Sequence, residues 1–179
     1  MSGTYKMTIA GLERELPLCP LNEKIDIAAF VMFSDVELTV AAATELLKKS
    51  PYFDVIMTAE SKGIPLAYEM SKQSKKPYVV ARKSVKLYMS EPTTVTVKSI
   101  TTAAEQKLHL SKEKAEMIKG KRVLLVDDVI STGESLIALE KLTAAADGII
   151  SGRVAVLAEG EAADRDDIIY LETLPLFYK

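Results

Sequence analysis

Asp127 and Asp128 follow four apolar residues, Val123 to Val126, and precede the small polar run Ser131-Thr132-Gly133-Glu134-Ser135. An apolar run closed by paired acids predicts a buried strand with both carboxylates at its carboxyl end, where open parallel sheets bind their ligands. Two adjacent ionised carboxylates accept hydrogen bonds from neighbouring hydroxyls. The residues after them, Val129, Ile130 and then Ser131 to Ser135, bring consecutive backbone N–H groups and several hydroxyls. Gly133 stands where a side chain would block close approach. The run opens into Leu136, Leu139, Leu142 and Ala146, a helical stripe that Asp147-Gly148 is expected to end as a glycine cap. Unpaired N–H groups and the dipole at such a helix start favour an anion, by ~0.3–1 kcal/mol at an exposed site. A diol grip beside a phosphate cradle is the chemistry a ribose 5-phosphate needs.

Two further segments have the makings of an anion site. Ala59-Glu60-Ser61-Lys62-Gly63 follows the apolar stretch Asp54 to Thr58 and leads into a helix with Pro65 in its first turn, where proline is tolerated. Ala81-Arg82-Lys83-Ser84-Val85-Lys86 follows the apolar Tyr78 to Ala81. Arginine grips phosphate oxygens through two parallel N–H groups, and lysine acts as a mobile point charge. Lys72, Lys75 and Lys76 read as solvated charge near a helix end. The acids Glu159, Glu161, Asp164, Asp166 and Asp167 do not match the spacing of a calcium loop, so a solvated connection is expected there. Cys19 and His109, each the only residue of its type, read as structural.

Positioning these groups requires strands alternating with helices, and hence a mostly parallel sheet. The first 24 residues read as irregular, broken by Pro17 and Pro20. Ile25 to Phe33 reads as a strand. Ser34-Asp35-Val36-Glu37 has the form of a capping box, followed by a helical stripe at Val36, Val40, Ala43 and Leu47. Asp54 to Thr58 predicts a strand, Pro65 to Ser74 a helix and Tyr78 to Ala81 a strand. Thr93 to Thr102 holds eight β-branched residues in ten, which favours an extended arm. A polar stretch from Thr102 to Lys121 precedes the acid-bearing strand. Arg153 to Ala158 and Ile168 to Leu171 complete the series, the second as an edge strand.

Position by position, Val123 to Ser135 resembles the 5-phosphoribosyl-1-pyrophosphate (PRPP) binding signature of type I phosphoribosyltransferases. The resemblance implies that Asp127 and Asp128 hold the ribose 2- and 3-hydroxyls, and that Ser131 to Ser135 wraps the 5-phosphate. Glu60 to Gly63 is similar to the pyrophosphate loop of the adenine and xanthine enzymes, which implies a non-proline cis peptide, placed here at Ser61–Lys62. Arg82-Lys83-x-x-Lys86 resembles the basic segment of the same enzymes, with Arg82 and Lys83 joining the acid pair in catalysis. Val97-x-Ser99-x-Thr101 looks closer to xanthine-type enzymes and falls within a flexible loop at about 88–110. The implied fold is an α/β, Rossmann-like, mostly parallel sheet flanked by helices, in a single domain over 1–179. A small hood built from about 1–24 and the C-terminal tail would cover the base. The implied reaction moves phosphoribose to a purine, adenine being favoured ahead of xanthine or guanine. Mg²⁺ would be carried by PRPP, with Asp127 a possible ligand, in a homodimer. A PRPP-binding regulator of nucleotide-synthesis genes is the alternative. Receiver domains share an apolar strand with paired acids, but there the pair lies near the N-terminus; here only 51 residues follow Asp128.

Composition agrees with this reading. A chain of 179 residues with 48% hydrophobic and 27% charged content is that of one globular domain, able to bury roughly 70% of its unfolded surface. The net charge of −2 leaves no electrostatic footprint for non-specific nucleic-acid binding. A lone cysteine excludes an internal disulfide and fits a reducing cytoplasm. No apolar run is long enough to span a membrane, and no signal-peptide pattern opens the chain.

Overall fold

Five successive residues of the strand Val55–Ala59 are buried, which fixes this strand inside a sheet covered on both faces. In the computed structural model, which describes residues 3–98 and 105–179, the elements run in the following order. A hairpin of β1 (Thr4–Ile9) and β2 (Leu12–Pro20) leads to β3 (Ile25–Ala28), α1 (Val36–Lys49), β4 (Val55–Ala59), α2 (Ile64–Ser74) and β5 (Tyr78–Ala81). Then come β6 (Thr93–Lys98), β7 (Glu105–Leu110), α3 (Lys112–Ile118), β8 (Arg122–Ile130), α4 (Glu134–Ala145), β9 (Ile149–Glu159), β10 (Ile169–Leu174) and β11 (Leu176–Tyr178). The main sheet has the order β10-β9-β8-β4-β5, and every neighbouring pair in it is parallel.

Alternation along the central strands divides the core. Ile56, Leu124 and Val126 face α1 and α2, where Leu38, Ala42, Leu46, Leu66 and Met70 close one side. Val55, Met57, Val123 and Leu125 face α4, where Leu136, Leu139 and Leu142 close the other, joined by Ile118, Leu108 and Leu110. The carboxyl ends of β4, β5 and β8 are thereby brought side by side. No helix among the described residues is long and apolar enough to cross a membrane.

Several local expectations change. The N-terminal segment is a β-hairpin and not irregular: Tyr5, Met7 and Ile9 alternate inward, and Ala10 (φ 50°) with Gly11 (φ 80°) makes the turn. Pro17 lies within β2, and its carbonyl accepts from the Ala29 N–H at 2.9 Å. Strand β3 stops at Ala28, well short of Phe33. With β1, β2 and β11 it forms a four-stranded antiparallel sheet, in which the C-terminal β11 pairs with β3. The cap of α1 is Asp35, one residue later than the capping box placed it, and its carboxylate accepts from the Leu38 N–H. The buried stripe of α1 runs through Leu38, Thr39, Ala42, Ala43 and Leu46, while Val36 and Val40 are exposed.

The polar stretch after Thr102 contains β7 and α3. Strand β7 pairs antiparallel with β6 to form the arm, and Leu108 and Leu110 bury against the core beneath α4. Ser99 and Thr101 of the xanthine-like pattern lie outside the described residues. At the end of α4 it is Asp147, not Gly148, that takes the positive φ of 55°. Gly148 instead leaves room for Thr143, whose methyl a β-carbon would meet at 2.8 Å.

Candidate active site

The acid pair closes β8, whose backbone stays extended through Asp127 and Asp128 to Ile130. Asp128 is 2% exposed, and its Oδ2 is buried without a hydrogen bond; the Asp128 N–H donates to Oδ1 of Asp127 at 2.9 Å. Burial and the neighbouring Asp128 carboxylate push the Asp127 carboxyl up to about 7, with Lys62 opposing the shift.

The loop Ala59–Gly63 arches over β8 from the end of β4. It contains a cis peptide at Glu60–Ser61, one bond earlier than the family resemblance places it. Lys62 Nζ reaches Oδ2 of Asp128 at 3.3 Å. Gly63 has an ordinary helical φ of −74°, so its glycine requirement is one of space. A β-carbon there would collide with Oγ1 of Thr58 and lie 3.2 Å from Oδ1 of Asp127.

Glu60 ties this loop to the next one. Its Oε2 accepts the Lys83 N–H at 3.1 Å, and its Oε1 pairs with Arg82 Nη2 at 3.3 Å. Arg82 is turned away from the acids. Its backbone bridges to His109 of β7, its Nε is buried without a partner, and it lines a separate cavity with Tyr88 and Ser111.

A cavity of about 610 Å³ opens between these loops and the hood. Of the residues expected at the site, Glu60, Ser61, Lys62, Lys83, Asp127, Asp128, Val129, Ser131 and Ser135 line it. Gly63, Arg82, Lys86, Ile130, Thr132, Gly133 and Glu134 do not. Ile130 is core, at 3% exposure, and Lys86 Nζ bonds Ser84 Oγ at 2.7 Å. Thr132 lines an adjoining cavity of about 640 Å³ that shares Ile27, Ser131 and Glu159 with the first. Gly133, with φ 78°, caps α4.

The opposite wall, Ile27 to Val31, lies just beyond the segment the sequence assigned to the hood; its apolar composition was the available signal. Glu159, expected to be solvated, also lines the cavity; burial raises its carboxyl, with Lys62 opposing. Its place after the apolar run of β9, the neighbour of β8, was the clue. Asp167 is not free either, pairing with Arg165 and Arg153. Among the described residues no cluster of three or more His, Cys, Asp or Glu could hold a metal ion.

A parallel sheet with an acid pair at the end of one strand and basic loops at the ends of its neighbours defines an α/β protein whose cleft lies where such sheets bind their ligands. The sequence model of the phosphoribosyl transferase domain matches residues 38–174. A hypoxanthine/guanine phosphoribosyltransferase of Methanotorris igneus is 33% identical over 159 residues, covering 84% of this chain and 83% of its own. An adenine phosphoribosyltransferase of Ureaplasma parvum is 35% identical over 117 residues, covering 63% of this chain and 62% of its own. In fold the chain is similar to the crystal structure of an adenine phosphoribosyltransferase from Thermoanaerobacter pseudethanolicus. The TM-score is 0.68 at 23% identity, over 79% of this chain and 84% of the other. The chain belongs to the phosphoribosyl transferase family, and with it to the transferase enzymes.

Proposed function

We propose that this protein transfers the 5-phosphoribosyl group of PRPP to a purine base, giving a nucleoside monophosphate and pyrophosphate. The observation that carries the reading is the meeting of Lys62 and the buried Asp127–Asp128 pair in one cavity with Ser131 and Ser135. In it the acids accept from the ribose hydroxyls and the loop through Ser135 holds the 5-phosphate. Lys62 and Lys83 face the pyrophosphate. A ring nitrogen of the base attacks C1 as the bond from C1 to the pyrophosphate oxygen breaks, and the leaving group takes the electron pair. The protein's part is to position both substrates, stabilise the departing charge and exclude water, the competing nucleophile. Ile27 to Val31 offers no charged side chain, which suits the face of a neutral base.

The donor set fits a magnesium ion that arrives with its substrate. Mg²⁺ is commonly held by one or two carboxylates together with substrate phosphates, and Asp127 with Asp128, whose buried Oδ2 has the mobile Lys62 beside it, supplies that much. Such an ion would neutralise the leaving pyrophosphate.

Adenine is favoured by the Glu60 loop and by Arg82-Lys83-x-x-Lys86-Leu87. A 6-oxopurine is the second reading, supported by the Methanotorris relative, which aligns over more of the chain than the adenine one from Ureaplasma does. Pyrophosphate release from PRPP and Mg²⁺ with adenine, hypoxanthine, guanine, xanthine, uracil and orotate in parallel decides between them. Turnover on a pyrimidine alone would overturn the purine reading. PRPP binding without turnover on any base would make the protein a regulator. A homodimer belongs to the same reading on family grounds, and sedimentation as a monomer would remove it.

A further inference from the structure

Arg165 follows the short 3-10 helix Gly160–Asp164, in a tract whose acids had suggested only a solvated connection. Two of its three guanidinium nitrogens are committed: Nε donates to Oδ1 of Asp167 and Nη2 to Oδ2, both at 2.8 Å. Asp167 is itself steadied by Arg153, which pairs with Glu140 of α4. The fork is thereby held in one orientation, with two-thirds of the side chain out of solvent. The third nitrogen, Nη1, lies 2.9 Å from the point a β-carbon on Gly133 would occupy. Gly133 is the centre of the phosphate loop and the cap of α4.

This juxtaposition runs against helix electrostatics. The start of a helix carries partial positive charge, and cations belong at the other end. Glu134 is the acid in the first turn of α4, and an anion bound at the loop would be attracted by the helix start and the guanidinium alike. Gly133 permits the approach in two ways. Its φ of 78° is one that side chains rarely adopt, and its missing β-carbon leaves the space that Nη1 uses.

We infer that Arg165 is a binding residue for the 5-phosphate, a fixed cation acting on the anion that the backbone of Ser131 to Ser135 cradles. The inference rests on the phosphoribosyltransferase reading. It adds a charged group from the β9–β10 connection, outside the signature and outside both basic loops. Asp167 is then a positioning residue that aims the fork, because a bidentate carboxylate fixes both the plane and the direction of a guanidinium.

Titration calorimetry of the full chain with ribose 5-phosphate and, separately, with pyrophosphate tests this. Arg165→Gln should weaken ribose 5-phosphate about tenfold, the usual scale for a lost charged hydrogen bond, and leave pyrophosphate unchanged. Arg165→Lys should recover part of the loss. Asp167→Asn removes the brace but keeps the cation. It should melt as early as Arg165→Gln while binding ribose 5-phosphate more tightly than that variant does. Equal weakening of both ligands in Arg165→Gln, or unchanged ribose 5-phosphate affinity, would overturn the assignment and leave Arg165 a structural brace. Should Arg165→Gln fail to fold, the comparison of Arg165→Lys with Asp167→Asn decides: ribose 5-phosphate affinity unchanged in both, or lowered in step with pyrophosphate affinity in both, would overturn the direct role. Failure of the wild-type protein to bind either ligand would instead remove the phosphoribosyltransferase reading.

Discussion

Lys62 Nζ lies 3.3 Å from Oδ2 of Asp128, so the cation of the loop proposed to meet pyrophosphate rests on an acid proposed to hold ribose. One group of each half-site is therefore engaged with the other before any ligand arrives. Lys62 is half exposed and its partner almost fully buried, so the lysine is the mobile member. A ligand that brings two hydroxyls and a polyanion satisfies both partners at once. One that brings a diol alone must compete with the lysine.

The acid pair should make PRPP binding depend on pH near neutrality. Hydroxyls donate best to ionised carboxylates, and the Asp127 carboxyl is pushed up to about 7. Affinity should fall as pH drops through that value. Lys62 works against the shift, so Lys62→Met should move the midpoint of the fall to higher pH. Calorimetric Kd values for PRPP at a series of pH values, for both proteins, give the two midpoints. A midpoint that stays in place in the variant would show that Lys62 does not act on the pair electrostatically.

The same pair should make the site a source of instability. The Asp127 carboxyl holds a proton in the folded protein over a range, from its ordinary 3.8 up to about 7, where the unfolded chain has released it. Wherever the folded state binds more protons, stability falls as pH rises. The contribution of Asp127 is thus present in full below 3.8 and lost by the time pH passes about 7. Asp127→Asn removes the burden of a buried charge and should stabilise the protein at alkaline pH, by on the order of 2 kcal/mol, while weakening PRPP. Urea midpoints at acid and alkaline pH check this. A variant less stable than wild type at alkaline pH contradicts the assignment.

Gly63→Ala should damage site and fold together. The added methyl meets Oγ1 of Thr58 and crowds Asp127, and both lie on strands of the sheet core. Overpacking of this kind costs about 1–3 kcal/mol. Thr58→Ala removes the atom in the way, so the double variant should recover most of the lost stability. No recovery would mean that the strain comes from Asp127 and not from Thr58.

The site was legible where chemistry and periodicity coincide. Val123 to Val126 is an apolar run too short for a helix, and the acids and small residues after it repeat a chemical logic independent of the fold. Tyr78 to Ala81 was legible for the same reason: an apolar stretch between a helix end and a basic turn. The N-terminal hairpin was hidden because Pro17 and Pro20 read as breaks, although each falls at the last pair of a ladder, Pro17 opposite Thr4 of β1 and Pro20 opposite Asp26 of β3. Strand β7 was hidden because Gln106, Lys107 and His109 made it look solvated, while the inward Leu108 and Leu110 gave too short a pattern to register. The capping box failed by one residue because Ser34 takes a left-handed φ of 70°, leaving Asp35 to cap α1 while Arg14 pairs with Asp35 and Glu37. Arg82 could not be aimed from sequence at all. Which way a side chain leaves a strand end depends on the neighbouring loop, and that loop comes from elsewhere in the chain.

Arg82 is the residue whose expected role the geometry most redirects. Beside the pyrophosphate it would act directly on the leaving group; paired with Glu60 it acts by holding the loop that carries Lys62. The two roles separate in a double-mutant cycle. If Arg82 works through Glu60, then Arg82→Ala and Glu60→Ala should each lower kcat/KM, and the double variant should be little worse than either alone, with a coupling of about 0.5–3 kcal/mol. If Arg82 contacts pyrophosphate during turnover, the losses should add, and Arg82→Ala alone should raise the KM for PRPP in a way that Glu60→Ala does not. The buried, unpartnered Nε of Arg82 sharpens the expectation. Arg82→Lys keeps the charge but not the fork, so it should hold the ion pair to Glu60 and retain most activity if the pairing is what matters. A lysine variant as impaired as the alanine variant would place the guanidinium on the substrate.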